Sequence, residues 1–202
     1  MLLKCVRLLA LVLSLIAWSG ALAQVMPHAY HGGMPVTAGI GYSNFHTDWN
    51  GRLGGTTIWA NWGFDHLRPP LNGLGIEVEG RELNFNRTGP GPLDPRLREE
   101  TLTGGPIYHW RHHHGIQPYA RFLIGIGGIY FTPFDPAFPR YTHDTRTVYA
   151  PAAGMNYAFG GGLSIRGDYE YQIWPSFINN HALTPNGLTI GVFYDFRTHG
   201  RR

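Results

Sequence analysis

The chain has one cysteine, Cys5, and one lysine, Lys4, both near its start. Without a second cysteine an internal disulfide is excluded, so the fold must close through its own hydrogen bonds and packing. Charged residues make up only 14% of the sequence, against about 25% in an average soluble domain. That shortage argues against an outer surface that is wet all round. After residue 23 no apolar run approaches the roughly 20 residues a membrane-crossing helix needs. If this chain crosses a membrane, it must do so as strands.

The first residues follow a different rule. Lys4 and Arg7 precede the apolar run Leu8 to Ala17, which is followed by Ala21-Leu22-Ala23 and Gln24. A basic start, a short apolar core and small residues at the end form a secretory signal peptide. Residues 1–23 are therefore expected to be cleaved, taking Cys5 and Lys4 with them. The formal charge of +3 then falls to about +1 with His neutral, which removes the electrostatic case for a nucleic-acid partner. The rest divides into a periplasmic N-terminal segment (24–35), one barrel domain (36–196) and a tail (197–202).

Glycine and aromatics fill the share that charge gives up, with 28 Gly and 14% aromatic residues. Read with a period of two, in which alternate side chains share a face, the chain yields eight segments. They are Val36 to Ser43, Gly54 to Phe64, Leu74 to Phe85, Thr101 to Trp110, Gln117 to Phe131, Thr147 to Ala158, Leu163 to Trp174 and Gly187 to Phe196. In the third, Leu74, Ile76 and Val78 oppose Glu77, Glu79 and Arg81. In the seventh, Leu163, Ile165, Tyr169, Tyr171 and Ile173 oppose Ser164, Arg166, Asp168, Glu170 and Gln172. In the last, Leu188, Ile190, Val192, Tyr194 and Phe196 oppose Thr189, Gly191, Phe193 and Asp195. Trp59 and Leu83 break the alternation. Pro106 cannot donate to a ladder, and Pro151 among small residues leaves the faces of the sixth segment unassigned.

The connections alternate in length. Those after the odd segments, Asn44 to Leu53, Asn86 to Glu100, Thr132 to Arg146 and Pro175 to Asn186, span about 10, 15, 15 and 12 residues; those after the even ones span about 9, 6 and 4, the long-loop and short-turn asymmetry of outer-membrane barrels. The expected fold is all-β, an eight-stranded antiparallel transmembrane β-barrel preceded by a signal peptide, with four long loops outside.

Alternation also fits a soluble lipocalin-type barrel with its apolar face inward. The content of the faces favours the membrane orientation. The polar face combines Gly, Ser and Thr with sparse charges of both signs: Glu77, Glu79, Arg81, Arg121, Arg166, Asp168, Glu170 and Asp195. These suit a narrow interior in which guanidinium and carboxylate pair, and they are expected to form its polar network. The apolar face ends in Tyr42, Trp62, Phe64, Tyr108, Trp110, Tyr130, Tyr194 and Phe196, as interfacial girdles do.

Gly160-Gly161-Gly162-Leu163-Ser164-Ile165-Arg166 running into Asp168-Tyr169-Glu170-Tyr171, and the terminal Gly191-Val192-Phe193-Tyr194-Asp195-Phe196, resemble the last two strands of the OmpA-like and OmpX-like small outer-membrane barrel superfamily. The resemblance implies residence in the outer membrane of a Gram-negative-type bacterium. It also implies that Phe196 is the assembly signal read by the barrel assembly machinery through the last strand. The sequence departs from the family in its tail, Arg197 to Arg202, and the peptidoglycan-binding domain of full OmpA proteins is not expected here. The partners expected are outer-membrane lipid and a surface ligand at the external loops, with the protein a monomer and bound to no nucleic acid.

Other chemistry finds less support. His109 and His112-His113-His114 cluster at one turn, yet a metal site needs rings converging in fixed geometry; His46, His143 and His181 fall in loops. Nucleophilic catalysis needs a Ser beside a His oriented by a carboxylate. The sequence offers Ser43 near His46 and Asp48, and Ser176 near His181, without a lipase-type elbow. No catalytic, metal or cofactor residues are therefore assigned, and no enzyme activity. A structural or adhesin-like role leads. A lipid-modifying enzyme, a narrow pore and a soluble lipocalin-like carrier are the alternatives.

Overall fold

The computed structural model describes residues 36–48, 51–64, 67–85, 97–110, 114–131, 143–177 and 181–196. The segments 1–23 and 24–35, the loop tips within 86–96 and 132–142, and the tail 197–202 lie outside them. The strands are β1 (Val36–His46), β2 (Arg52–Gly63), β3 (Leu74–Phe85), β4 (Leu97–His109), β5 (Ile116–Phe131), β6 (His143–Gly160), β7 (Leu163–Tyr171), β8 (Trp174–Phe177), β9 (His181–Leu183) and β10 (Asn186–Asp195). Eight of them close a barrel in the order β1-β10-β7-β6-β5-β4-β3-β2, while β8 and β9 form a small separate hairpin. Every neighbouring pair is antiparallel. The last strand seals the barrel against the first, from Thr37↔Asp195 to His46↔Asn186, so no ladder edge is left unpaired.

The alternation decides what faces where. Ile76, Val78, Tyr169 and Tyr171 stand on the outer wall with 40–51% exposure, whereas Glu77, Glu79, Asp168 and Glu170 point inward with at most 4%. Ile40, Ile58, Leu102, Ile126 and Leu188 continue the outer apolar belt. A belt of that extent is not left in water; it is a lipid-facing surface, the inverse of a lipocalin barrel. The two residues that break the pattern obey the geometry: Trp59 and Leu83 are buried in the lumen, so interior parity holds and only their polarity is unusual. In β6, Val148, Ala150, Ala152 and Asn156 turn inward, and Met155, Tyr157 and Phe159 turn outward. Pro106 sits on the exposed face of β4, and the β4–β5 register is the same on both sides of it.

Strands β1, β2, β4 and β6 run further than the alternation predicts, so the loops they flank are shorter, whereas β7 stops at Tyr171 and leaves Trp174 to β8. β1 and β2 extend to His46 and Arg52, leaving 47–51 in place of Asn44 to Leu53. Phe45 and Leu53, both buried in the lumen, prolong the inward row. Likewise β4 starts at Leu97 and β6 at His143, which shortens the loops expected over Asn86 to Glu100 and Thr132 to Arg146. The connection after β7 is not open loop either, since it carries the β8–β9 hairpin. Its base bonds to β6 through reciprocal Tyr149 and Ile173 backbone hydrogen bonds. At the opposite rim β6 and β7 meet in a turn through Gly160, Gly161 and Gly162, with φ of 101°, 63° and 88°; glycine enters this left-handed region without the Cβ penalty.

The outer wall is directly testable. Ile124 lies midway along β5 on the exposed face, and Ile124→Arg is expected to cost about 2–4 kcal/mol if that position meets the bilayer midplane. Urea unfolding in lipid vesicles measures it; an unchanged midpoint would mean the belt is not in lipid.

Candidate functional site

The chemistry-bearing residues converge in the middle of the lumen. β3 presents Glu77, Glu79 and Arg81 on its inward row, β5 presents Arg121, and β7 presents Arg166, Asp168 and Glu170. These strands are not neighbours in the sheet; their side chains meet across the barrel.

Arg121 is the hub. Its Nη1 donates to Glu77 at 2.6 Å and to Glu79 at 2.5 Å, and its Nη2 to Glu170 at 2.7 Å and Asp168 at 3.2 Å. Arg81 donates to Glu79 and Glu170, both at 2.6 Å. Arg166 reaches Glu77 at 2.7 and 2.9 Å and Asp168 at 2.9 Å. Charge-assisted pairs with forked guanidinium geometry are the strongest hydrogen bonds available to side chains. Here they bridge β3, β5 and β7 and fill the bore at that height.

A ring of other side chains finishes the cluster. Tyr119 donates its hydroxyl to Asp168 at 2.7 Å, Gln172 donates to Glu170 at 2.9 Å, and Trp174 Nε1 donates to Gln172 at 2.7 Å. Arg81 Nε donates to Thr57 at 3.0 Å, and Thr57 and Thr189 both bond Ser43. The Arg81 guanidinium lies 4.3 Å from the Phe45 ring centroid, and that of Arg166 lies 4.8 Å from Trp59 and 4.6 Å from Tyr119. Aromatic faces shield cations in this way while adding attraction. The alternation puts Gln172 on the inward face without a role and leaves Trp59 as an irregularity; Tyr119 shares the parity of Arg121 in β5, and parity is the signal for all three.

Seven of the eight charges expected in the lumen meet there. Asp195 does not join them: it is half-buried at the turn rim, in register with Thr37, and its backbone N–H bonds Gly162. Phe196 is exposed on the outer wall beside Tyr194, ring centroids 5.1 Å apart.

Towards the loop rim the lumen becomes apolar. Phe45, Leu53 and Leu83 form one cluster. Leu123, Ile129, Val148 and Ala150 form another with Trp174 and Leu183 of the β8–β9 hairpin. Trp174 packs directly on Gly127: a Cβ there would stand 2.1 Å from its Cη2. Asp48, in the connection after β1, binds the hairpin's exit by accepting from the Thr184 N–H and hydroxyl at 2.6 and 3.0 Å.

The serine and histidine candidates do not assemble. Ser43 faces the lumen and bonds Thr57 and Thr189, His46 is exposed, and Asp48 is engaged by Thr184. Ser176 and His181 lie on β8 and β9. The His109 ring is 5.7 Å from that of Tyr119, and His114 is exposed; His112 and His113 lie outside the described residues. Among the described residues no three metal-ligating side chains converge.

The fold is shared with solved barrels. Neisserial surface protein A is similar over 80% of this chain and 96% of its own, at 14% identity and a TM-score of 0.56. Ail, the attachment invasion locus protein of Yersinia pestis, is similar over 81% and 97%, at 18% identity and a TM-score of 0.52. A search of the curated proteins found no match. The model of the outer membrane protein beta-barrel domain family matches residues 8–196. With a closed eight-stranded wall, an apolar outer belt and a charge-filled lumen to match, this chain belongs to the outer membrane protein beta-barrel domain family.

Proposed function

We propose that this protein acts at its loop rim, as a rigid outer-membrane scaffold with a structural or adhesin-like surface role. The observation that carries this reading is the filled lumen: salt bridges cross the bore and two apolar clusters lie above them, so among the described residues the interior offers neither a wide path nor an open reactive group. The wall then serves to hold the rim, where Asp48 ties the first connection to the last. The fold likeness to Ail is compatible with a contact role at the surface, as that protein's name describes for itself.

The same reading includes export with cleavage after Ala23, insertion through the last strand with Phe196 as its signal, and a monomeric barrel bound to lipid alone until a surface ligand is met. An eight-stranded barrel is just wide enough for side chains to fill, which is why a narrow pore ranks below the scaffold.

The test is to display the whole chain on outer membranes and compare it with a chain whose residues 132–142 are replaced by a short Gly-Ser linker. Cell attachment to protein-coated and bare surfaces, planar-bilayer conductance and the lipid A mass profile are then recorded. Attachment that falls with the loop replacement, while conductance and lipid A stay the same, is expected. Remodelled lipid A with the whole chain would replace the scaffold by the lipid-modifying enzyme, and sizeable conductance would replace it by the pore.

A further inference from the structure

One buried charge is left over from the cluster. Glu99, on the inward row of β4, is 2% exposed, and its Oε1 has no hydrogen-bond partner. Its ladder neighbours are Leu83 on β3 and Ile129 on β5. Leu83 belongs to one of the two apolar clusters at the loop rim and Ile129 to the other, so the carboxylate sits at the seam between them.

Among the described residues the charges around it do not balance. The buried lumen residues comprise Arg81, Arg121 and Arg166 against Glu77, Glu79, Glu99, Asp168 and Glu170. All three arginines are already paired to the other four carboxylates. Arg81 from β3 and Glu170 from β7 exert opposing fields on Glu99. From β5 the register brings Ile129 and Gly127 alongside. Beyond these, Asp144 and Arg146 of β6 pair with each other at 3.0 Å, and β1 and β2 contribute Phe45 and Leu53. A buried ionised carboxylate without a counter-charge costs several kcal/mol, so such a group takes up a neutralising partner or gives up its charge.

We propose that Glu99 takes up a proton from solution, and that its protonation controls the seal at the loop-rim end of the lumen. With the proton bound, the two apolar clusters close over a neutral group. Without it, the carboxylate draws water into the seam and parts them.

The test uses the full chain refolded in detergent micelles, reading the temperature at which the compact gel band converts to the unfolded one. Wild type and Glu99→Gln are compared from pH 5 to pH 9 in choline chloride, and at pH 9 in sodium or potassium chloride of equal ionic strength. Wild type is expected to lose about 5 °C or more at alkaline pH in choline, relative to a flat profile for Glu99→Gln. No recovery of the loss by sodium or potassium is expected; recovery would assign an alkali ion in place of the proton and overturn the proposal. Glu99→Leu, which matches the flanking residues in character, serves if the glutamine variant does not fold. Profiles that are parallel for wild type and variant in every buffer overturn the proposal.

Discussion

Arg121→Met is expected to destabilise the folded barrel by at least about 3–5 kcal/mol, the cost of removing one partner from a buried ion pair. Arg121 is fully buried and donates to four carboxylates, Glu77, Glu79, Asp168 and Glu170. Without it those groups keep Arg81 and Arg166 as counter-charges and repel one another in a medium that screens poorly. Lysine at the same place keeps the charge but not the planar fork, so Arg121→Lys should fall between wild type and the methionine variant. Pairing Arg121→Met with Glu79→Gln removes one orphaned charge and should return part of the loss, because contacting residues do not act additively. Urea unfolding in vesicles with heat-modifiable gel migration measures all four proteins. A methionine variant within about 1 kcal/mol of wild type would show that the cluster fills the bore without holding it.

The second large effect concerns the seat of the β8–β9 hairpin. Trp174→Ala empties a buried site in a cluster of six apolar residues and is expected to cost about 3–5 kcal/mol, as large-to-small core changes do. Gly127→Ala puts a methyl where the indole lies, 2.1 Å from Cη2, and should cost about 1–3 kcal/mol through overpacking. The double variant should cost less than the sum, since the alanine at 127 meets no ring once Trp174 is gone. The damage should also be local: a protease should cut between residues 174 and 185 while the eight barrel strands remain folded. Strict additivity, or loss of the whole barrel on Gly127→Ala, would show that hairpin and wall are not coupled through this contact.

Much of this molecule was legible along the chain because alternation is a local property. A strand sends successive side chains to opposite faces, so Ile76 against Glu77 or Tyr169 against Asp168 could be sorted without knowing what surrounds them. Strand β3 has the bounds that its alternation predicts, Leu74–Phe85. Legibility failed where polarity and parity disagreed. Trp59 and Leu83 looked like errors because an inward residue was expected to be polar, yet a lumen has a packed part as well as a charged one. It failed again at strand ends, where Asn44, Phe45 and His46 read as loop although the ladder holds them to Leu188, Gly187 and Asn186 on one side and to Gly54, Leu53 and Arg52 on the other.

By itself the sequence determined the number of membrane strands, which residues face lipid on all but the sixth of them, and that both signs of charge would share the interior. Only the tertiary structure decided who pairs with whom. Glu77 meets Arg121 44 residues away and Arg166 89 residues away, across strands that are not neighbours. Asp195, on the same face by parity, is left at the rim. The reason is physical: period two sets which face a side chain takes, but its height in the bore depends on the stagger of closed ladders, a property of all eight strands together.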